Sequence, residues 1–339
     1  MKKHTEISTP EGQPQAPATR PAAPVVQFVE IDDERAGQRI DNFLLGQLKG
    51  VPRTLIYRVL RKGEVRVNKG RVKAEYKLQA GDVVRIPPVR MPDAKEQPNA
   101  SEQLKELLAG SILFENAGLI ILNKPAGLAV HGGSGINLGL IEVLRQMRPQ
   151  DRHLELVHRL DRDTSGCIMI AKKRSMLRYL HQQLRDGHIQ KYYHALVEGR
   201  WPSRCKEVRA PLKKNELSSG ERIVRVDSEG KESLTQFKVL RRYVGTTLVE
   251  AKPVTGRTHQ IRVHAQYQGH GLVGDPKYGN DNFNKEMKAK GFHRLFLHAA
   301  ALSLLLPDED KKILVEAPLD ERLAKPLANL TPADYGDEG

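Results

Sequence analysis

Two short apolar runs, LELV (154–157) and CIMIA (167–171), enclose the polar string HRLDRDTSG (158–166). Short apolar runs bounded by turn residues read as buried strands, so the charges between them belong on a tight turn at the rim of a sheet. The same constraint recurs along 111–325. ILFENAGLIILNKPAG, KYYHALVEGRW, LTQFKVLRRYVGTTLVEAKPVTG and RLFLHAAALSLLLP are strand-like runs with hairpin-like breaks. Helical spacing is best in SMLRYLHQQLRDG and in 258–268. Locally paired strands with interleaved helices and no βαβ alternation predict an α+β domain with a mixed, mainly antiparallel sheet.

A smaller unit is expected upstream. AGQRIDNFLLGQLKG has apolar residues at 40, 43, 44 and 48, a helical spacing. PRTLIYRVLRKGEVRVNKGRV predicts a second helix with Pro52 at its first position, ending at Arg61 or Lys62 and stopped by Gly63. EVRVN and RVKAEYKL alternate as short strands joined at Lys69-Gly70, and GDVVRIPP closes the unit. The expected organisation is a disordered leader (1–30), the small unit (36–88), a polar linker (89–106), the large domain (107–325) and a loose tail (326–339).

Charge supplies the first functional clue. The chain carries a net +14, and residues 52–90 hold eleven Lys/Arg against three acids, so the surplus is concentrated. Arg58, Arg61 and Lys62 share a helical face, with Arg66 and Arg71 following on a hairpin. Such a surface binds phosphates by Coulomb attraction and carries little base information. Arg53, Arg58, Arg61, Lys62, Arg66 and Arg71 are therefore the candidate RNA-binding residues. No apolar stretch reaches the roughly eighteen residues a bilayer span needs, and MKKHTEISTPEGQPQ lacks the apolar core of a secretory signal. Cys167 and Cys205 form no CxxC pair, which points to structural thiols in a reducing cytoplasm.

Familiar cofactor motifs fail on context. GHGLVG (269–274) fits G-x-G-x-x-G, yet Pro276 follows it and no strand precedes it. There is no P-loop string, no H-E-x-x-H and no zinc-spaced Cys/His cluster, so catalysis is expected to need neither cofactor nor metal. Attention falls on the carboxylates. Asp163, before Thr164-Ser165-Gly166, suits a turn-shaping role. Asp161 is flanked by Arg159 and Arg162, and an ionised carboxylate in a basic cleft can act as nucleophile or base. TGRTHQIRVH (255–264) offers Arg257, His259 and Arg262 as donors to phosphate or carboxylate. In KYYHA, alternation sets Tyr193 beside Ala195 on one face, where an aromatic can stack on an extruded base.

Taken together and in order, NKPAGLAVH, HRLDRDTSG, KYYHALVEG, GKESLTQF, TGRTHQIRVH, GDPKYG and RLFLHA resemble the RluA-type pseudouridine synthases over essentially all of 110–320. RIDNFL, the PRTLIYRVLRKGEVRVNKGRV body and GDVVRI resemble an S4 RNA-binding domain. The resemblance implies Asp161 as the essential aspartate, Tyr193 as the stacking tyrosine and Arg262 as the arginine paired with the aspartate. It further implies Leu297 as the apolar wall of the uracil pocket, and Arg159 filling the gap left by a flipped nucleotide. The activity it implies is cofactor-free isomerisation of uridine to pseudouridine in large-subunit (23S) ribosomal RNA. The partner would be that RNA, naked or in a pre-ribosomal particle, met by a cytoplasmic monomer away from any membrane. A non-catalytic RNA-binding assembly protein and an RNA N-glycosylase are the alternatives, and intact Asp161, Tyr193 and Arg262 argue against decay of the first kind.

Overall fold

A computed structural model describes residues 25–33, 35–48, 50–89, 98–132, 138–216, 222–307 and 309–333. The chain divides into two compact units, 1–95 and 96–339. In the first, strand β1 (Gln27–Glu30) precedes helices α1 (Ile40–Gln47) and α2 (Arg53–Arg61) and strands β2 (Arg66–Val67) and β3 (Val83–Ile86). The strands form an antiparallel sheet in the order β1-β3-β2. α2 buries Ile56, Val59 and Leu60 at helical spacing, which leaves Arg58, Arg61 and Lys62 facing solvent. Gly63, at φ +70, reverses the chain so that the Glu64 amide donates back to the Val59 carbonyl.

Three expectations shift here. Pro52 stands one position earlier than expected, as the N-cap of α2, because its ψ of 140 is extended although its carbonyl already accepts from Leu55. RVKAEYKL is irregular rather than a strand. Its backbone is tied to the approach to α1 instead, through Ile40 N to Tyr76 O at 2.8 Å and Leu78 N to Gln38 O at 2.9 Å. β1 occupies the end of the stretch expected as a leader, and residues 1–24 of that stretch lie outside the described residues.

The second unit runs α3 (Glu102–Ala109), β4 (Ile112–Glu115), β5 (Leu119–Lys124), α4 (Leu140–Met147), β6 (Glu155–Leu156), β7 (Ser165–Ala171) and α5 (Arg174–Arg185). It continues with β8 (Gln190–Glu198), β9 (Glu207–Arg209), β10 (Leu212–Glu216), β11 (Arg222–Val226), β12 (Leu234–Tyr243) and β13 (Thr246–Pro253). Then come α6 (Gln260–Tyr267), α7 (Asp281–Ala289), β14 (Leu297–Leu304), β15 (Ile313–Glu316) and α8 (Glu321–Ala328). One sheet follows the order β4-β5-β7-β14-β8-β13-β12-β9, with β15 on β14 and β6 on β7, while β10 and β11 form a separate hairpin. Among the described residues every pairing in this sheet is antiparallel except β7 with β14, so the fold is α+β with a mixed sheet. That parallel contact depends on Gly166, at φ +108, where any Cβ would run into the Ala299 carbonyl.

All seven residues of β7 are buried, which explains its unbroken apolar run. Cys167 lies within it and is buried, whereas Cys205 is half-buried. α3 begins inside the stretch expected as a linker and packs on α4; residues 90–97 of that stretch lie outside the described ones. The loose tail also needs correction up to residue 333. Leu330 is buried in a cluster with Phe292 and Phe296 against which Leu327 also packs, and the Val244 amide donates to Thr331 O while that of Ala333 donates to Arg242 O.

Candidate active site

The turn between β6 and β7 carries Asp161. Its path is held from beneath by Lys124, the last residue of β5, whose buried ammonium donates to the carbonyls of Pro125 (2.8 Å), Leu128 (2.8 Å) and Arg162 (3.0 Å). The Gly127 amide also donates to Arg162 O, and the Thr164 amide to Asp161 O. Burial pulls the Lys124 pKa down to about 7, with Asp163 and Asp161 opposing and Arg294 assisting. Three carbonyls converging on one nitrogen favour the charged form, so the turn rests on an ammonium cross-brace. His158 opens the turn and accepts the Met169 amide at Nε2 (3.2 Å); burial depresses it to about 3, so it stays neutral.

Asp161, its side chain 22% exposed, meets two donors from the α6 region: Arg262 Nη1 at 3.7 Å and His259 Nε2 at 3.8 Å. Neither distance is a tight hydrogen bond. The reason is Asp275, fully buried, which takes Arg262 Nε and Nη2 at 2.7 Å each. Asp275 also accepts the amides of Lys277 (2.9 Å) and Tyr278 (3.1 Å). The fork geometry spends two guanidinium nitrogens on Asp275 and leaves the third directed at Asp161. Burial opposes the Arg262 charge, but the hydrogen bonds and charge of Asp275, with the charge of Asp161, outweigh it and raise its pKa.

His259 sits in left-handed backbone (φ 54) at the N-cap of α6, which turns its ring towards the cavity. The Tyr278 hydroxyl accepts the Val224 amide at 3.0 Å and lies 2.8 Å from His259 Nδ1. With the Asp161 carboxylate facing Nε2 at 3.8 Å, the neutral ring carries its proton on Nε2, and the hydroxyl then donates to Nδ1. Burial, with Arg262 and Lys277 assisting and Asp161 opposing, lowers the His259 pKa, so the neutral tautomer prevails at neutral pH.

His158, Asp161, His259 and Arg262 line one cavity of about 240 Å³. Of the residues singled out from sequence, Asp161, Tyr193, Arg262, Leu297 and Arg159 all line it. β8 delivers Tyr193 from between β13 and β14, opposite Ala251 and Ala299. Burial, and then the Asp161 charge, raise the Tyr193 phenol well above its ordinary value, so it remains protonated. Leu297, at the start of β14, pairs with Ala195 and closes the apolar side; Arg159 stands exposed at the rim. Typical small-molecule sites run about 300–1,000 Å³, so this volume suits one base rather than several.

Arg53, Arg58, Arg61, Lys62, Arg66 and Arg71 belong to the first unit, where all six are exposed. Arg66 bonds the carbonyls of Gly63 (3.3 Å) and Lys69 (3.2 Å). His259, expected from sequence as a donor to phosphate or carboxylate, does face Asp161, whereas Asp275, Tyr278 and Lys124 were not among the residues expected. Their only signal was membership of the strings GDPKYG and NKPAGLAVH, which says nothing about pairing. His264, the other histidine of its string, is fully buried and bonded to Thr235, Ser233 and the Ala210 carbonyl, a structural role.

A family model for RNA pseudouridylate synthases matches residues 118–267, and one for the S4 domain matches 38–84. The chain is 57% identical over 306 residues to a ribosomal large subunit pseudouridine synthase C of Pasteurella multocida, covering 90% of this chain and 94% of that one. It is 57% identical over 311 residues to the protein of that name from Escherichia coli K12, covering 91% and 97%. Among solved structures, human RNA pseudouridylate synthase domain containing 4 superposes with a TM-score of 0.54 at 25% identity, covering 67% of this chain and 95% of that one. Human RNA pseudouridylate synthase domain containing 1 gives 0.53 at 27%, covering 66% and 88%.

Proposed function

The chain belongs to the RNA pseudouridylate synthase family, and from that premise we propose that it isomerises specific uridines of large-subunit (23S) ribosomal RNA to pseudouridine. The reaction breaks N1–C1′, turns the uracil and forms C5–C1′; N1 gains the proton that C5 loses, so no electron carrier is required. The observation that carries the reading is the Asp161 carboxylate on the cavity wall, with Arg262 Nη1 directed at it from 3.7 Å. A cation at that distance orients the carboxylate by charge without engaging its oxygen in a tight hydrogen bond. Asp161 thereby serves as nucleophile at C1′ or C6, or as base at the 2′ proton.

Reaching the target atom requires the nucleotide to leave its stack, at a cost of a few kcal/mol. Tyr193 stacks on the extruded uracil, Leu297 closes its edge and Arg159 enters the vacated space. Arg53, Arg58, Arg61, Lys62, Arg66 and Arg71 of the S4 unit take phosphates and raise affinity without choosing the base. The assigned organisation is an S4 module and a synthase domain in one cytoplasmic monomer, acting on ribosomal RNA or on a pre-ribosomal particle. The intact Asp161–Arg262–Asp275 arrangement leaves the non-catalytic alternative without an observation in its favour.

Asp161→Asn tests the assignment. It preserves shape and removes the charge, so pseudouridine formation on 23S ribosomal RNA should vanish while RNA affinity stays within about twofold. Turnover by the variant would remove Asp161 from the chemistry. Free uracil released by the native protein would turn the reading towards an N-glycosylase.

A further inference from the structure

Two lysines lie in or against this site, and their surroundings differ. Lys124 has three carbonyl acceptors. Lys191, on β8, lies two residues before Tyr193 and so shares its sheet face. It lines the same cavity as Asp161, and its nitrogen stands beside Gly256, where an added Cβ would lie 3.9 Å away. Among the described residues its ammonium has no hydrogen-bond acceptor and no carboxylate partner. Burial is the only influence resolved on its pKa, and it pulls that pKa down, as expected of a cation with no compensating anion. Arg262 gives two nitrogens to Asp275 and turns the third towards Asp161, and His259 accepts from the Tyr278 hydroxyl at Nδ1 with Nε2 facing Asp161. Thr164 Oγ1, buried on the same lining, also has no partner among the described residues.

A partly buried ammonium without a counter-ion is costly, and the cost is recovered when an anion arrives with the ligand. Asp161 is committed to the sugar or base, and Tyr193 occupies the stacking position. The anionic group that an extruded nucleotide brings within reach of both is its own backbone phosphate. We propose that Lys191 binds a phosphodiester flanking the extruded uridine, fixing the ribose over Asp161. This rests on the reading of the cavity as a uridine site and names a further substrate-binding residue within it.

The test uses the full chain and a stem-loop RNA containing one mapped target uridine. The RNA is prepared unmodified and with a neutral methylphosphonate at the linkage 5′ or 3′ to that uridine. Lys191→Met keeps the apolar stem and removes the charge. It should lower kcat/KM roughly ten- to a hundredfold, as expected for loss of a charged hydrogen bond. It should also reduce the slope of log affinity against log salt by about one, and Lys191→Arg should restore most of the loss. On one of the two methylphosphonate RNAs the native protein should fall by the same factor, and Lys191→Met should then lose about twofold at most. Additive losses on both modified RNAs, or native turnover untouched by either, would overturn the phosphate assignment in favour of a contact to the base or a packing role. Absence of pseudouridine on the unmodified RNA with the native protein would instead remove the functional reading beneath it, so the two failures are distinguishable.

Discussion

Asp275→Asn should separate the positioning of Arg262 from its charge. In the native site Asp275 accepts two charge-assisted bonds from Arg262 at 2.7 Å and two backbone amides, all in full burial. Asparagine keeps an oxygen for the amides but turns a donor towards the guanidinium, so the pair is broken from one side. Removing one partner of a buried pair costs about 3–5 kcal/mol, and the retained amide bonds place this change at the lower end, about 3 kcal/mol. For a unit of this size a loss of that order lowers Tm by roughly 6–12 °C. Arg262 then has Asp161 as its one remaining ion-pair partner among the described residues, and the 3.7 Å gap should close to a direct hydrogen bond. A displacement near 1 Å at a reacting group costs on the order of a hundredfold in rate. The expected outcome is kcat down about a hundredfold at a temperature where the variant is folded, with KM for RNA nearly unchanged. Differential scanning calorimetry and single-turnover pseudouridine formation measure the two arms. An unchanged melt with kcat within twofold of native would refute Asp275 as the residue that aims Arg262.

Tyr193→Phe should keep turnover within a few-fold, because the ring is retained and the hydroxyl is protonated at working pH, whereas Tyr193→Ala forfeits about 1–3 kcal/mol of stacking and should lose roughly 5- to 150-fold in kcat/KM. Loss of activity in the Phe variant, assayed side by side, would give the hydroxyl a chemical role. Replacing Arg58, Arg61 and Lys62 together by Gln should weaken binding of ribosomal RNA and reduce its salt slope by up to about three, with kcat at saturation preserved; filter binding from 50 to 300 mM salt (about the range over which such slopes are read) decides it. Acid should destabilise the synthase unit. Burial holds His158 at about 3 and His298 at about 4, and lowers His264 and His259 in the same direction. The unfolded chain therefore binds more protons below its histidine pKa of about 6.5, so stability is complete above that pH and is lost below it. Between pH 6.5 and 5.5 His158 and His298 together should remove roughly 2 kcal/mol. A urea midpoint that holds constant or rises over that interval would contradict the buried neutral assignment.

Elements with a local cause are legible in the sequence itself. β7 reads as an unbroken apolar run because both of its faces are covered, and α2 because its apolar residues recur at 56, 59 and 60. RVKAEYKL misled because period-two alternation shows which residues are buried, while strand identity depends on which neighbour takes the backbone bonds. Those bonds went to residues 38 and 40. The tail misled in a similar way: expected to be loose from residue 326, it sends Leu327 and Leu330 into an aromatic cluster.

The candidate site divides along the same line. Composition and order alone determined that a carboxylate sits on a charged turn between two buried strands, that an aromatic and an arginine accompany it, and that a concentrated basic face precedes them. Those properties are carried by residue type and short spacing. What Arg262 is tied to, which way His259 points, that Lys124 braces the turn and that Lys191 stands without a partner among the described residues were decided only by the tertiary structure. Each depends on sheet order and the parallel β7–β14 contact, which bring together residues from 124 to 297. A pairing energy between residues a hundred positions apart leaves no trace in either local sequence. Arg262 resembles any other arginine until Asp275 takes two of its nitrogens and leaves the third for Asp161.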